Sequence, residues 1–121
     1  MEKYNKIIGN YGEDIATKYL MKNKYKIIER NYSCKYGEID IIAKDKNIIV
    51  FVEVKSRTND KYGAPSTAVN YYKKKNIIKT AQSYIQKNNL QNEFCRFDVV
   101  EILLENADNN IRLIKNAFMI N

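Results

Sequence analysis

The succession of apolar and polar positions along the chain predicts seven elements. From Ile7 to Asn23, the residues Ile8, Tyr11, Ile15, Tyr19 and Leu20 recur at the spacing of one helical face. Gly9, Gly12 and Ala16 fall within or beside that stripe, which lets the helix lie close to its neighbour. Tyr25 to Tyr32 then reads as a strand, and Gly37 to Lys44 and Ile48 to Val54 as two more, rich in Ile and Val. The last of these is nearly continuous in apolar character. It is expected to be buried on both faces and central in its sheet.

Ser56 to Ser66 contains Asp60, Gly63 and the single proline, Pro65, and reads as a loop. A second helix is predicted from Thr67 to Lys87, with Ile77, Ile78, Ala81, Tyr84 and Ile85 inward and Lys75, Lys79, Gln82 and Gln86 outward. Strands from Cys95 to Leu104 and from Ile111 to Ile120 flank a polar turn, Asn106 to Asn110. The order is α-β-β-β-α-β-β. With 121 residues, the chain is long enough for one core and one domain, 1–121, and too short for two.

The register of the hairpin joining the second and third strands brings chemistry into the picture. If Lys46 and Asn47 form a two-residue loop, Asp45 pairs with Ile48. Asp40 then falls opposite Glu53, and Glu38 opposite Lys55. Side chains alternate along a strand, so all four polar groups are expected on one face. A three-residue loop would break the alignment; a four-residue loop would keep the face and shift the pairing. Two carboxylates about 5 Å apart at Cβ destabilise a sheet unless positive charge lies between them. Lys55 supplies one charge, and a divalent cation would supply the rest. Asp40, Glu53, a strand carbonyl and water make an oxygen shell suited to Mg²⁺ or Mn²⁺. The bland alternative is a solvated, ion-paired sheet face; the surrounding Ile–Val density makes polar residues there costly without a role.

Composition narrows the chemistry. The chain has no histidine, which excludes Ser-His and Cys-His machinery, His-ligated zinc and a histidine general base. Cys34 and Cys95 are too few and too far apart for a disulfide framework or a zinc site. Hydrolysis would therefore run on carboxylates, lysine and a hard cation. A metal-bound water and Lys55 beside it suit attack on a phosphodiester. Lys and Arg number 21 against 14 Asp and Glu, a net charge of +7, which favours a polyanionic partner. No apolar run approaches the ~20 residues that span a bilayer, and no signal peptide is visible. A cytoplasmic protein without membrane attachment is the expectation.

Several segments together resemble the YraN-type family of predicted endonucleases, relatives of the archaeal Holliday-junction resolvases within the restriction-endonuclease-like superfamily. They are Gly12-Glu13 with Ala16 and Leu20, Gly37 to Ala43, Phe51 to Lys55 with Arg57, Tyr62 to Pro65, and Arg96 to Val100. The similarity covers essentially the whole chain. It implies a restriction-endonuclease-like α/β fold, a central mixed β-sheet flanked by helices. It also implies metal binding by Asp40 and Glu53, catalysis by Asp40, Glu53 and Lys55, and assistance from Glu13 on the first helix. Ser56, following the lysine, departs from many resolvases and leaves substrate choice open.

Arg57 and Lys61 are candidate phosphate contacts. Lys73 and Lys75, in the run Tyr71 to Lys75, mix cations with stacking rings as single-strand binders do. In each case the alternative is a solvated surface, with the tyrosines in the core. Glu38 is as much a structural ion-pair candidate as a catalytic one, and Asp98 between Phe97 and Val99 reads as structural. The function expected is Mg²⁺- or Mn²⁺-dependent cleavage of DNA, branched or single-stranded, by a monomer or homodimer. The rival is a nucleic-acid- or protein-binding module that kept the fold and lost turnover.

Overall fold

The computed structural model describes residues 2–57, 71–103 and 110–118. The elements are α1 (Glu2–Lys22), β1 (Lys26–Cys34), β2 (Gly37–Asp45), β3 (Ile48–Arg57), α2 (Tyr71–Lys87), β4 (Phe94–Leu103) and β5 (Asn110–Phe118). They follow the predicted order and form one α/β architecture: a mixed five-stranded sheet, β1-β2-β3-β4-β5, flanked by two helices. The first three strands run antiparallel, β3 and β4 are parallel across the α2 crossover, and β5 returns antiparallel. The expected helix start at Thr67, most of the Ser56–Ser66 loop and nearly all of the Asn106–Asn110 turn lie outside the described residues. No described helix is long and apolar enough to cross a membrane.

β3 is the central strand, and its continuous apolar run is spent on both sides. Ile48, Val50, Val52 and Val54 join a cluster with Ala16, Leu20, Ile41, Ala43, Val100 and Ile102 beneath α1. Ile49 and Phe51 join the opposite cluster with Ile39, Ile42, Phe97 and, from α2, Ile77, Ala81 and Tyr84. The α2 stripe is the one the helical spacing predicted. Phe51 lies between Phe97 and Tyr84, with ring centroids 5.5 and 6.0 Å away.

On α1 the inward ridge differs from the simplest reading. Tyr11 is 55% exposed, while Gly12, Ala16 and Leu20 are buried. Volume decides this. A Cβ on Gly12 would collide with the Ser56 hydroxyl and lie 3.2 Å from the Ser56 Cβ, so the helix crosses β3 closely and a larger residue there would have to displace Ser56.

Candidate active site

The chemistry-bearing residues gather where the β2–β3 ladder ends. Pairing runs from Asp45↔Ile48 to Ile41↔Val52, the register that a Lys46–Asn47 loop demands, with Lys46 at φ 57°. It stops one position short of Asp40 and Glu53. Alternation of bonded pairs outward from the turn would give the Val54 N–H to the Ile39 carbonyl. It donates instead to Asp40 Oδ2 at 2.8 Å. The Asp40 carboxylate thus sits in the seam between the strands, against the backbone of the residue separating Glu53 from Lys55.

Side-chain alternation breaks at the same position. Ile39 packs on the α2 side and Ile41 on the α1 side, while Asp40 lies with Glu13 of α1. On β1 the facing residue, Asn31, has a left-handed φ of 56°, and the flanking pairs are Arg30↔Ile41 and Tyr32↔Ile39. Arg30 and Asn31 both turn to Glu13, whereas Tyr32 packs toward α2. Two consecutive residues on each strand therefore face α1.

This break assembles an acidic trio: carboxylate oxygens of Glu13, Glu38 and Asp40 all lie within 4.8 Å of one another. Such crowding needs compensation. Arg30 supplies part of it, with Nη2 3.5 Å from Glu13 Oε2 and Nη1 2.9 Å from Asp14 Oδ1. Asn31 supplies more. With its amide oriented to satisfy both partners, it donates to Glu13 Oε2 and Glu38 Oε1 at 3.1 Å.

Glu53 stands outside this trio. Glu53 follows Val52 on β3, and Lys55 lies two positions further on. They form an ion pair, Lys55 Nζ to Glu53 Oε1, at 3.6 Å, with both side chains largely buried. Period-two reasoning placed Glu38, Asp40, Glu53 and Lys55 on one face, but the strict alternation it assumes fails on β2 at Asp40. Glu38 and Asp40 converge with Glu13, Glu53 pairs with Lys55, and the bond from Val54 to Asp40 joins the two groups.

The remaining candidates are dispersed. Lys75 is exposed on α2. Lys61 and the side chains of Arg57 and Lys73 lie outside what is described. Asp98 is fully buried on β4 and accepts hydrogen bonds from Tyr25, Arg96 and the Asn116 amide, a structural role. Arg30 and Asn31 are the residues that sequence reasoning missed. The one available signal was an Asn inside a strand, where its β-propensity is poor and its tolerance of left-handed φ is high.

A sheet seam carrying carboxylates and a lysine, closed by a helix with a further acid, defines a small α/β protein with a polar centre built into its core. The chain belongs to the family described as Uncharacterised protein family UPF0102, whose model matches residues 12–102. That span contains Glu13, Asn31, Glu38, Asp40, Glu53 and Lys55. The chain is 54% identical over 123 residues to a UPF0102 protein of Clostridium botulinum (strain 657 / Type Ba4), covering 99% of this chain and 100% of that one. It is 53% identical over 122 residues to a UPF0102 protein of Clostridium tetani (strain Massachusetts / E88), with the same coverage.

Proposed function

We propose that the chain is a divalent-metal-dependent endonuclease that hydrolyses DNA phosphodiester bonds, with Asp40, Glu53 and Lys55 catalytic and Glu13 assisting. The observation that carries this reading is the Asp40 carboxylate lodged against Val54, between Glu53 and Lys55, with Glu13 and Glu38 converging on it. The resemblance to YraN-type predicted endonucleases and the net charge of +7 support it.

The donor set fits a hard cation. It is all carboxylate oxygen, within 4.8 Å of one another, whereas neighbouring ligand oxygens of an octahedral Mg²⁺ lie about 3 Å apart, so the trio must draw inward to bind. Asp40, engaged by the Val54 amide through Oδ2, would be a ligand of Mg²⁺ or Mn²⁺. Glu53 completes the ligand pair, and Glu13 assists from α1. When bound, the cation supplies an acidified water and neutralises charge developing on the phosphate. Glu53 holds Lys55 in place through their ion pair, and the Lys55 ammonium stabilises the phosphoryl oxygens as their charge grows. The buried ion pair keeps that ammonium from solvating freely, so it is preorganised before substrate arrives.

One observation favours a second reading, a DNA-binding module without turnover: Arg30 and Asn31 already compensate Glu13 and Glu38. A cleavage panel separates the two. Linear duplex, single-stranded, flap and four-way DNA are incubated with Mg²⁺, Mn²⁺ or EDTA. Cleavage of at least one substrate that requires the metal is expected. Binding without cleavage of any form would sink the enzyme reading. Binding itself should weaken steeply with salt, because phosphate contacts release condensed counterions.

A further inference from the structure

Tyr36 occupies the turn between β1 and β2, one residue before Gly37 and two before Glu38 of the acidic trio. It is 39% exposed, and two ammonium groups lie over its ring: Lys35 Nζ at 5.1 Å and Lys79 Nζ at 5.5 Å from the centroid. The arrangement is built. The Tyr36 amide donates to Cys34 Sγ at 3.4 Å, and Gly37 has a φ of +149°. A Cβ on Gly37 would lie 3.4 Å from Thr80 Oγ1 and 3.9 Å from Asn76 Cβ, so the turn rests directly on α2. That contact brings Tyr36 to Lys79, with the exposed Lys75 one helical turn away on the same side.

We propose that Tyr36, with Lys35, Lys79 and Lys75, is a docking platform for an unpaired DNA strand entering the site. An exposed ring flanked by cations answers both parts of a nucleotide. The base stacks on the tyrosine, displacing one ammonium from the ring, and the displaced ammonium meets a backbone phosphate. A blunt duplex keeps its bases stacked and offers the ring nothing. Tyr36 and Glu38 are two positions apart, so their Cα atoms are separated by at most about 7 Å, roughly one nucleotide step. The proposal draws on the nuclease reading only for DNA as the polyanion, and it selects substrates with single-stranded arms.

The test is equilibrium binding in EDTA, where cleavage plays no part. Labelled oligo-dT, a blunt duplex and a forked duplex with a single-stranded arm are titrated with wild type, Tyr36→Ala, Tyr36→Phe and Lys35→Ala/Lys79→Ala. Tyr36→Ala should weaken oligo-dT and fork binding about 10-fold and blunt-duplex binding less than about 2-fold. Tyr36→Phe keeps the ring and should bind like wild type, which also controls for folding. The double lysine variant should lower the salt slope on oligo-dT by about 1.4. Oligo-dT affinity of Tyr36→Ala within twofold of wild type, or an equal loss on duplex, overturns the platform while leaving the nuclease reading intact. Wild type that binds no DNA overturns both. Failure of cleavage in Mg²⁺ with the Tyr36 effect intact overturns the nuclease reading alone.

Discussion

Lys55→Ala should slow metal-dependent DNA cleavage by about 10²–10³-fold while leaving the fold and most of the DNA affinity in place. The asymmetry follows from where each quantity is set. Affinity for a polyanion is a diffuse property of 21 basic residues, and losing one changes it little. In the proposed mechanism the Lys55 ammonium, largely buried and 3.6 Å from Glu53, would act instead on charge that appears only in the transition state. Glu53→Ala should lose activity to a similar degree and also raise the metal concentration needed for half-maximal rate, because it removes a ligand. It also removes the carboxylate that pairs with Lys55, so Glu53→Gln, which keeps the shape, is the better-folded comparison. Circular dichroism and a cooperative melt must be native for each variant before rates are compared. A purified wild type that cuts DNA no faster than Lys55→Ala would place the activity elsewhere, or in a contaminant.

Much of this arrangement was legible in the sequence, for identifiable reasons. Ile48 to Val54 announced a central strand because a segment buried on both faces has no polar alternation to spend. The hairpin register was legible because a two-residue loop leaves only one pairing, and Asp45↔Ile48 fixed the rest of the ladder. The inward ridge of α1 was harder. Hydropathy favoured Tyr11, but the ridge that meets the sheet runs through Gly12, Ala16 and Leu20. The break in alternation at Asp40 and Asn31 could not be read at all. A period of two carries no information about one residue that abandons it, and the cause is cooperative: Asp40 captures the Val54 amide while Asn31 adopts a left-handed φ across the strand. The residues of the candidate site could therefore be named from the sequence before their geometry could be drawn. Glu13 entered by resemblance, and the structure gives it neighbours: Arg30, Asn31, Glu38 and Asp40.

The largest effect on stability is expected at Asp98, which lies outside the seam. Its carboxylate is fully buried and accepts four hydrogen bonds: Tyr25 Oη at 3.0 Å, Arg96 Nε at 2.8 Å and Nη2 at 2.9 Å, and the Asn116 amide at 2.9 Å. Arg96 Nη2 also reaches Asp45 Oδ2 at 2.9 Å and Tyr25 Oη at 2.8 Å. One cluster thus ties the β2–β3 turn, the start of β1, β4 and β5 together. Its members are more than seventy residues apart at the extreme, so no local pattern in the chain could reveal it. Burial, reinforced by Asp98, pushes the Tyr25 hydroxyl above its ordinary range, so it remains a donor at any pH of interest. The hydrogen bond from Arg96 holds Asp45 below the usual carboxylate range. Asp45 therefore contributes stability above about pH 4 and loses it as pH falls through its depressed folded value. Asp98→Ala removes the acceptor at the centre and leaves a buried guanidinium, a hydroxyl and an amide short of partners. Breaking a buried pair in this way costs about 3–5 kcal/mol, against a total stability of about 5–15 kcal/mol for a domain of this kind. The melting temperature should fall by about 10–20 °C. Asp98→Asn keeps the shape but must turn an amide nitrogen toward donors, so it should lose less than Ala and more than a surface substitution. Urea unfolding of the three proteins at neutral pH decides the matter. A loss under about 1 kcal/mol for Asp98→Ala would mean that water or a repacked Asp45 satisfies Arg96, and that the sheet is held by its two apolar faces alone.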